Sequence, residues 1–299
     1  MSPTPIVQPQ EVDTGLLRSW RLPDPEQAAD KDERGRVLIV GGCEQMPGAV
    51  VLAALGAMRA GAGKLCVITS ARVASVVAQS LPEGRIIGLP ENKDGGLILD
   101  HVNQVPSDVD ALLVGPGMQD EHATIALTTQ LLTHCLSAKV VLDALAMSVL
   151  NAVNVRASAP RESDIVITPH PGEMAHLTGR TKSSIQEDLL GVALAAATRW
   201  RVTVAMKSAT TFIATPDARL WRHSGGSVGL ATSGSGDVLA GIIAGLCARG
   251  ADAAQATVWG VALHARSGEC LAREKGPVGY LAREIPQHVP MLMHALATC

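Results

Sequence analysis

The stretch Leu230–Leu246, LATSGSGDVLAGIIAGL, sets Gly234, Ser235 and Gly236 directly before an acid, Asp237, and continues as an almost unbroken apolar run. The run predicts a helix over Asp237–Arg249. The first N–H groups of a helix have no partner within it, and the helix dipole makes that end positive. A glycine loop lets a phosphate come close to those N–H groups. A carboxylate at that point can accept a proton from a substrate hydroxyl as the hydroxyl attacks phosphorus. The same acid also fits a simple N-cap or first-turn role.

Outward from this stretch, short apolar runs alternate with helical segments. RVLIVGG, KLCVITS, ALLVGPG, KVVLDALA, DIVITPHPGEM and VTVAMKSA read as strands. Residues 48–63, 71–80, 124–136 and 186–200 read as the helices between them. TTFIATPDARLWRHS reads as a hairpin turning at Pro216 and Asp217, and helices then follow over 253–273 and 280–296. Continuous apolar strands separated by helices imply an α/β fold with a mostly parallel sheet covered on both faces. No linker divides the chain, which gives one domain over 35–299 behind a polar, proline-rich arm, 1–34, with one short helix. Ligands of such sheets bind at the carboxyl ends of the strands. Six loops meet that rule: GGCEQMPGA, GPGM, LDALA, TPHPGE, KSATT and SGSGD.

Composition excludes several function classes. Aromatic residues are only 2% of the chain, too few for a base-stacking platform, and the net charge of −3 carries no basic excess, so nucleic acid is not an expected partner. Cys43, Cys66, Cys135, Cys247, Cys270 and Cys299 are scattered with no C-x-x-C pair. They are expected as buried free thiols in a reducing cytosol, not as zinc ligands. No signal peptide opens the chain, and no apolar run nears the roughly 20 residues of a membrane span. A cytoplasmic protein without membrane attachment is expected.

SGSGDVLAGIIAGL, TPHPGE, VVLDALA, LLVGPG and GGCEQMPGAVVLAALGAMRAGAGKL together resemble the ADP- or ATP-dependent NAD(P)H-hydrate dehydratases, in the same order, from about Arg36 to the C-terminus. The G-S-G-D turn is shared with ribokinase-like kinases at large, whereas M-P-G-A with T-P-H-P-G-E is specific to this branch. The resemblance implies a ribokinase-like three-layer α/β/α domain. It implies a reaction in which the hydroxyl of hydrated NADH or NADPH is phosphorylated by ADP or ATP with Mg2+, after which phosphate leaves and the reduced nicotinamide returns. It also implies a homo-oligomer, up to a tetramer, and a chain without the epimerase domain of two-domain relatives.

Carried over by position, the resemblance makes Asp237 the base and a hydrate contact. It puts Gly236 in the phosphate-binding turn, and Lys207, Ser208, Ala209, Thr210 and Thr211 on the nucleotide. Ala49, Gly117 and His170 fall on the hydrated dinucleotide. Each has a plainer reading: helix packing for Ala49, a turn for Gly117, a solvated strand end for Lys207. Asp143 is open between orienting substrate or magnesium and capping a turn, and Glu173 between capping a helix and organising a metal through water. The chain departs from the family pattern at residues 29–34, at Ser208, and over His223–Ser227. These departures keep two other readings in play, a ribokinase-like kinase of a vitamin precursor and a non-catalytic nucleotide-binding protein.

Overall fold

Strand β2, Arg36–Val40, explains the three layers. Val37 and Ile39 face one hydrophobic core while Leu38 and Val40 face another, and all four are buried. A strand buried on both faces needs helices above and below it. The computed structural model describes residues 8–24, 30–152 and 164–297. In chain order these hold β1 (Gln10–Glu11), α1 (Thr14–Ser19), β2, α2 (Pro47–Arg59), β3 (Lys64–Ser70), α3 (Ala74–Ser80), β4 (Gly84–Leu89) and β5 (Ala111–Val114). Then come α4 (Glu121–His134), β6 (Lys139–Leu142), β7 (Ile165–Ile167), α5 (Pro171–Thr178), α6 (Lys182–Glu187) and α7 (Leu189–Trp200). The chain continues through β8 (Thr203–Met206), β9 (Thr211–Ala214), β10 (Leu220–His223), α8 (Ser235–Ala248), α9 (Ala253–Lys275) and α10 (Val289–Ala297).

The described strands form one sheet in the order β1-β10-β9-β8-β7-β6-β5-β2-β3-β4. From β8 to β4 every pairing is parallel, and the β9–β10 hairpin joins β8 antiparallel. After β4 the chain returns to the other side of β2, so the strand order reverses between β2 and β5. That reversal opens a crevice at the carboxyl ends.

Helix α8 answers why so apolar a segment follows an acid. Every residue from Val238 to Ala248 is buried, as befits a helix that is hydrophobic on all sides. It packs on α2 with backbones in near contact. A Cβ built on Gly241 would stand 2.0 Å from the Ala53 carbonyl oxygen, and one on Gly245 2.4 Å from that of Ala57. Rising numbers on one helix meet rising numbers on the other, so α2 and α8 run parallel with their N-termini side by side.

Residues 8–24 add more than the one short helix expected of the arm. β1 extends the sheet beside β10, Leu17 is fully buried, and Trp20 stacks on Trp221 at 5.6 Å between ring centroids. Two expectations fall partly outside the described residues: the departure over 29–34, at Ala29, and the thiol of Cys299. The other five cysteines are buried and free. No helix among the described residues is long and apolar enough to cross a membrane.

Candidate active site

The six loops converge as expected. Gly42 N–H donates to the Pro116 carbonyl at 2.7 Å, which ties the β2 loop to the β5 loop across the strand-order reversal. Ala49 and Gly117 then lie against each other, a Cβ on Gly117 falling 2.8 Å from that of Ala49. Both are largely buried, so what they can offer a ligand is backbone at the start of α2 and at the turn. Helix α2 has no side-chain cap at Met46, and α8 has none at Gly234. Two parallel, uncapped helix starts therefore open toward the same place, which suits an anion. Gly234 adopts φ +87°, a left-handed conformation that side chains strain to take, so glycine is strongly favoured there.

The charged centre stands on β6, β7, β8 and α8. Lys207, one residue past β8, is brought in by its N–H, which donates to the Pro169 carbonyl at 2.8 Å. Its Nζ lies 3.3 Å from Asp143 Oδ1 and 3.7 Å from Glu173 Oε2, and only 18% of its side chain is exposed. Lys207 is thus no solvated strand end. The same Nζ is 3.4 Å from where a Cβ on Gly236 would be, so the ammonium reaches the glycine turn. Burial pulls the lysine pKa down, but Asp143, Glu173 and Asp237 outweigh it and hold the pKa above its usual value.

Asp143 does not cap the turn after β6 with its side chain. Its Oδ1 accepts from Thr168 Oγ1 at 2.5 Å and from Lys207. Of the two readings left open for Glu173 the structure shows the cap: its Oε2 accepts the His170 N–H at 2.7 Å, completing a capping box on α5, and the same oxygen faces Lys207. Three carboxylates around one ammonium leave Asp237 short of counter-charge. Its carboxyl is pushed up to about 7, first by burial and then by Asp143 and Glu173, against the pull of Lys207.

His170 is held less by its flanking prolines than by the helix it starts. Its Nδ1 accepts the N–H groups of Gly172 at 2.9 Å and Glu173 at 3.2 Å. In the neutral ring the proton is then on Nε2, and the side chain is 55% exposed, which leaves one donor for a ligand. His170→Ala should cost stability, about 0.5–2 kcal/mol for a lost N-cap, and should raise the KM for the dinucleotide with little change for the nucleotide. His170→Asn should restore the cap alone. Thermal melts with KM values for both ligands check this: an Asn variant that regains stability and KM together would leave His170 only a cap.

Ser208, Ala209 and Thr210 form the tight connection from Lys207 to Thr211, the first residue of β9, and Ser208 and Ala209 are exposed. The departure over His223–Ser227 is tied down by contacts of its own. Gly226 N–H donates to Glu269 Oε1 at 2.8 Å, His223 Nδ1 stands 3.2 Å from the Val12 carbonyl, and Ser227 Oγ caps Gly229. Two cavities, of about 360 and 350 Å³, lie elsewhere: one at His223, Arg266 and Arg273, the other at the amino ends of β7 and β8 beside Asp164 and Thr203. Among the described residues no group of three or more His, Cys, Asp and Glu side chains could hold a metal ion.

His264 escaped the sequence reading. It sits on α9, partly buried, with Nε2 3.0 Å from Ser235 Oγ and 3.1 Å from the Ser235 carbonyl oxygen. Burial lowers its pKa to about 4, against the opposing effect of the Ser235 carbonyl. A lone histidine in an apolar helix carries no sequence signal, because only the packing of α9 on α8 brings it to the turn.

Comparison with known proteins identifies the family. The family model described as NAD(P)H-hydrate dehydratase matches residues 37–291. An ADP-dependent (S)-NAD(P)H-hydrate dehydratase of Xanthomonas campestris pv. campestris is 46% identical over 287 residues, covering 95% of this chain and 96% of that protein. A bifunctional NAD(P)H-hydrate repair enzyme of Moorella thermoacetica is 36% identical over 98% of this chain, which spans 56% of that longer protein. The crystal structure of the ADP/ATP-dependent NAD(P)H-hydrate dehydratase of Bacillus subtilis, co-crystallised with ATP/Mg2+, superposes with a TM-score of 0.81 at 30% identity, covering 97% of this chain and 99% of that one. The ribokinase-like three-layer fold is thereby established, and the chain belongs to the NAD(P)H-hydrate dehydratase family.

Proposed function

We propose that this chain returns hydrated NADH or NADPH to the reduced dinucleotide, using ADP or ATP as phosphoryl donor. Asp237 carries the reading: an acid in the first turn of α8, its carboxyl near 7, beside a glycine turn that Lys207 reaches. A base whose pKa lies near neutrality is matched to taking a proton at neutral pH. Asp237 takes the proton of the hydrate hydroxyl as its oxygen attacks the terminal phosphorus, and the donor leaves one phosphate shorter. The N–H groups at the start of α8 and the ammonium of Lys207 hold the phosphate oxygens. Phosphate then departs with the C–O electron pair, the neighbouring ring carbon gives up a proton, and the ring double bond re-forms. Phosphorylation thus turns hydroxide, a poor leaving group, into a good one. Ala49, Gly117 and His170 hold the dinucleotide, and residues 207–211 with Gly236 hold the donor.

Magnesium fits the donor set as an ion carried mainly by phosphate. Asp143 and Glu173 offer the hard oxygens it prefers, and Mg2+ is commonly held by one or two carboxylates plus substrate phosphates. Bound there, it would offset the negative charge of the donor. The cytoplasm, where these dinucleotides are used, is the compartment this reading requires, and the five buried free thiols suit it. A homo-oligomer goes with the reading and is supported by the exposed apolar side chains of Val228, Val278 and Leu281.

The deciding experiment incubates the protein with each hydrate and with ADP or ATP, and follows reduced-nicotinamide absorbance and free phosphate together. Recovery of both is expected. A stable phosphorylated product without free phosphate would make the chain a small-molecule kinase. Nucleotide binding without turnover of any hydrate would make it a binding protein. Lys207→Ala should weaken ADP binding by about 10–100-fold, as loss of a hydrogen bond to a charged group does, with a smaller effect on the hydrate. It should also move the acid limb of the pH profile upward, because Asp237 loses its nearby cation. Equal calorimetric losses for both ligands would make Lys207 a structural residue only.

A further inference from the structure

Ser235 is the first residue of α8, and its carbonyl belongs to the same peptide unit as the Gly236 N–H. That unit is planar and trans, so the C=O and the N–H point in opposite directions and turn together. The N–H is one of the orphan donors at the helix start, facing the crevice. The helix's own i+4 bond holds this carbonyl along the axis, and a second donor on it fixes the direction of the N–H more tightly. Hydrogen bonding at the carbonyl also polarises the amide and strengthens it as a donor.

His264 Nε2 makes this grip, 3.1 Å from the Ser235 carbonyl oxygen, with Ser235 Oγ at 3.0 Å. An imidazole has two properties the position needs. Its ring is stiff, and α9 holds it where Ala262, Leu263 and Ala265 are buried on either side. It also adds no second cation near Lys207, since burial keeps it neutral.

We propose that His264 is a positioning residue, its Nε2–H held on the Ser235 carbonyl so that the Gly236 N–H is aimed at the phosphate being transferred. The proposal rests on reading the turn as the phosphate site. It assigns a purpose to a residue about 30 positions from the turn that meets it through Ser235.

The test compares His264→Asn with His264→Gln. The glutamine amide nitrogen lies as many bonds from the backbone as Nε2, whereas the asparagine nitrogen falls one bond short. Removing an oxyanion-type donor outright costs about 10²–10³-fold, so misaiming one should cost less. The Asn variant is expected to lose about tenfold in kcat, with the hydrate KM within about twofold of wild type and ADP Kd raised about threefold or more. The Gln variant should recover both kcat and ADP affinity. If Asn proves too unstable to assay, His264→Met, which fills the space without a donor, takes its place. Equal losses in the Asn and Gln variants, or none in the variant without a donor, would overturn the proposal. A wild type that binds ADP but turns over no hydrate would remove the proposed function, while the ADP affinities of the series would still decide the role of His264.

Discussion

Asp237→Asn should fold, bind nucleotide, and lose turnover by about 10²–10⁴-fold, the usual worth of a positioned base. The amide keeps the shape of the side chain but cannot take the hydroxyl proton. In the wild type, kcat/KM should rise with pH through an acid limb at about 7, where the Asp237 carboxyl titrates, and the variant should lack that limb. Stability gives an independent check. The folded-state pKa lies above the unfolded one, so between about 4 and about 7 the folded chain keeps a proton that the unfolded chain releases. Stability due to this group therefore falls as pH rises across that window and is level above it. The Asn variant escapes that fall, so its melting temperature relative to wild type should improve from pH 5 to pH 8. Wild-type turnover in the variant would end the assignment of Asp237 as base, and parallel melting curves would mean the carboxyl is not perturbed.

Gly241→Ala should be among the most damaging single methyl groups that could be added to the helices. Alanine is favoured over glycine in a helix by about 1 kcal/mol, and on an exposed helix the change would stabilise. Here the new Cβ would meet the Ala53 carbonyl oxygen at 2.0 Å. Backbone cannot rotate aside as a side chain can, so α2 and α8 must part. Overpacking costs about 1–3 kcal/mol and sometimes more, and this contact belongs at the upper end. Separating the helices also separates their two N-termini, so activity should fall more steeply than stability. Thermal melts and hydrate turnover measured on the same preparation test this, with Gly48→Ala as comparison for stability, since a Cβ there meets nothing within 4 Å. A Gly241 variant that melts like wild type would mean the two helices are held apart from each other.

The strands that carry the site were legible because their interior positions are apolar on both faces. RVLIVGG, KLCVITS and VTVAMKSA correspond to β2, β3 and β8, with β2 and β8 ending where a glycine or lysine begins a loop. The hairpin at Pro216 and Asp217 was legible for the same reason, as a proline and an acid between two apolar runs. Edge elements were not. GRIIGL, which forms β4, mixes partly buried and exposed residues, with only Leu89 buried, and carries two glycines, which are depleted in strands. The edge strand β1 is two residues long and exists because β10 pairs with it.

At the site, the glycine turn, KSATT and TPHPGE were each legible as strand-end loops. What the chain could not reveal was their mutual charge. Lys207, Asp143 and Glu173 are far apart in sequence, and the rise in the Asp237 pKa exists only once the fold buries that carboxyl and brings Asp143 and Glu173 beside it. The capping role of His170 was hidden because the start of α5 at Pro171 looked like loop. His264 was hidden because its partner is a backbone carbonyl, which every residue has.

The glycine contacts between α2 and α8 leave no compressible side chains between the two backbones. The two helix starts are therefore fixed relative to each other, like the jaws of a caliper that has been locked. A compound joining a phosphate group to a dinucleotide mimic would meet two anchor points at one set spacing. Its affinity should depend steeply on tether length, with a sharp optimum and little tolerance on the short side, because a tether that cannot span its sites gains nothing from being bivalent.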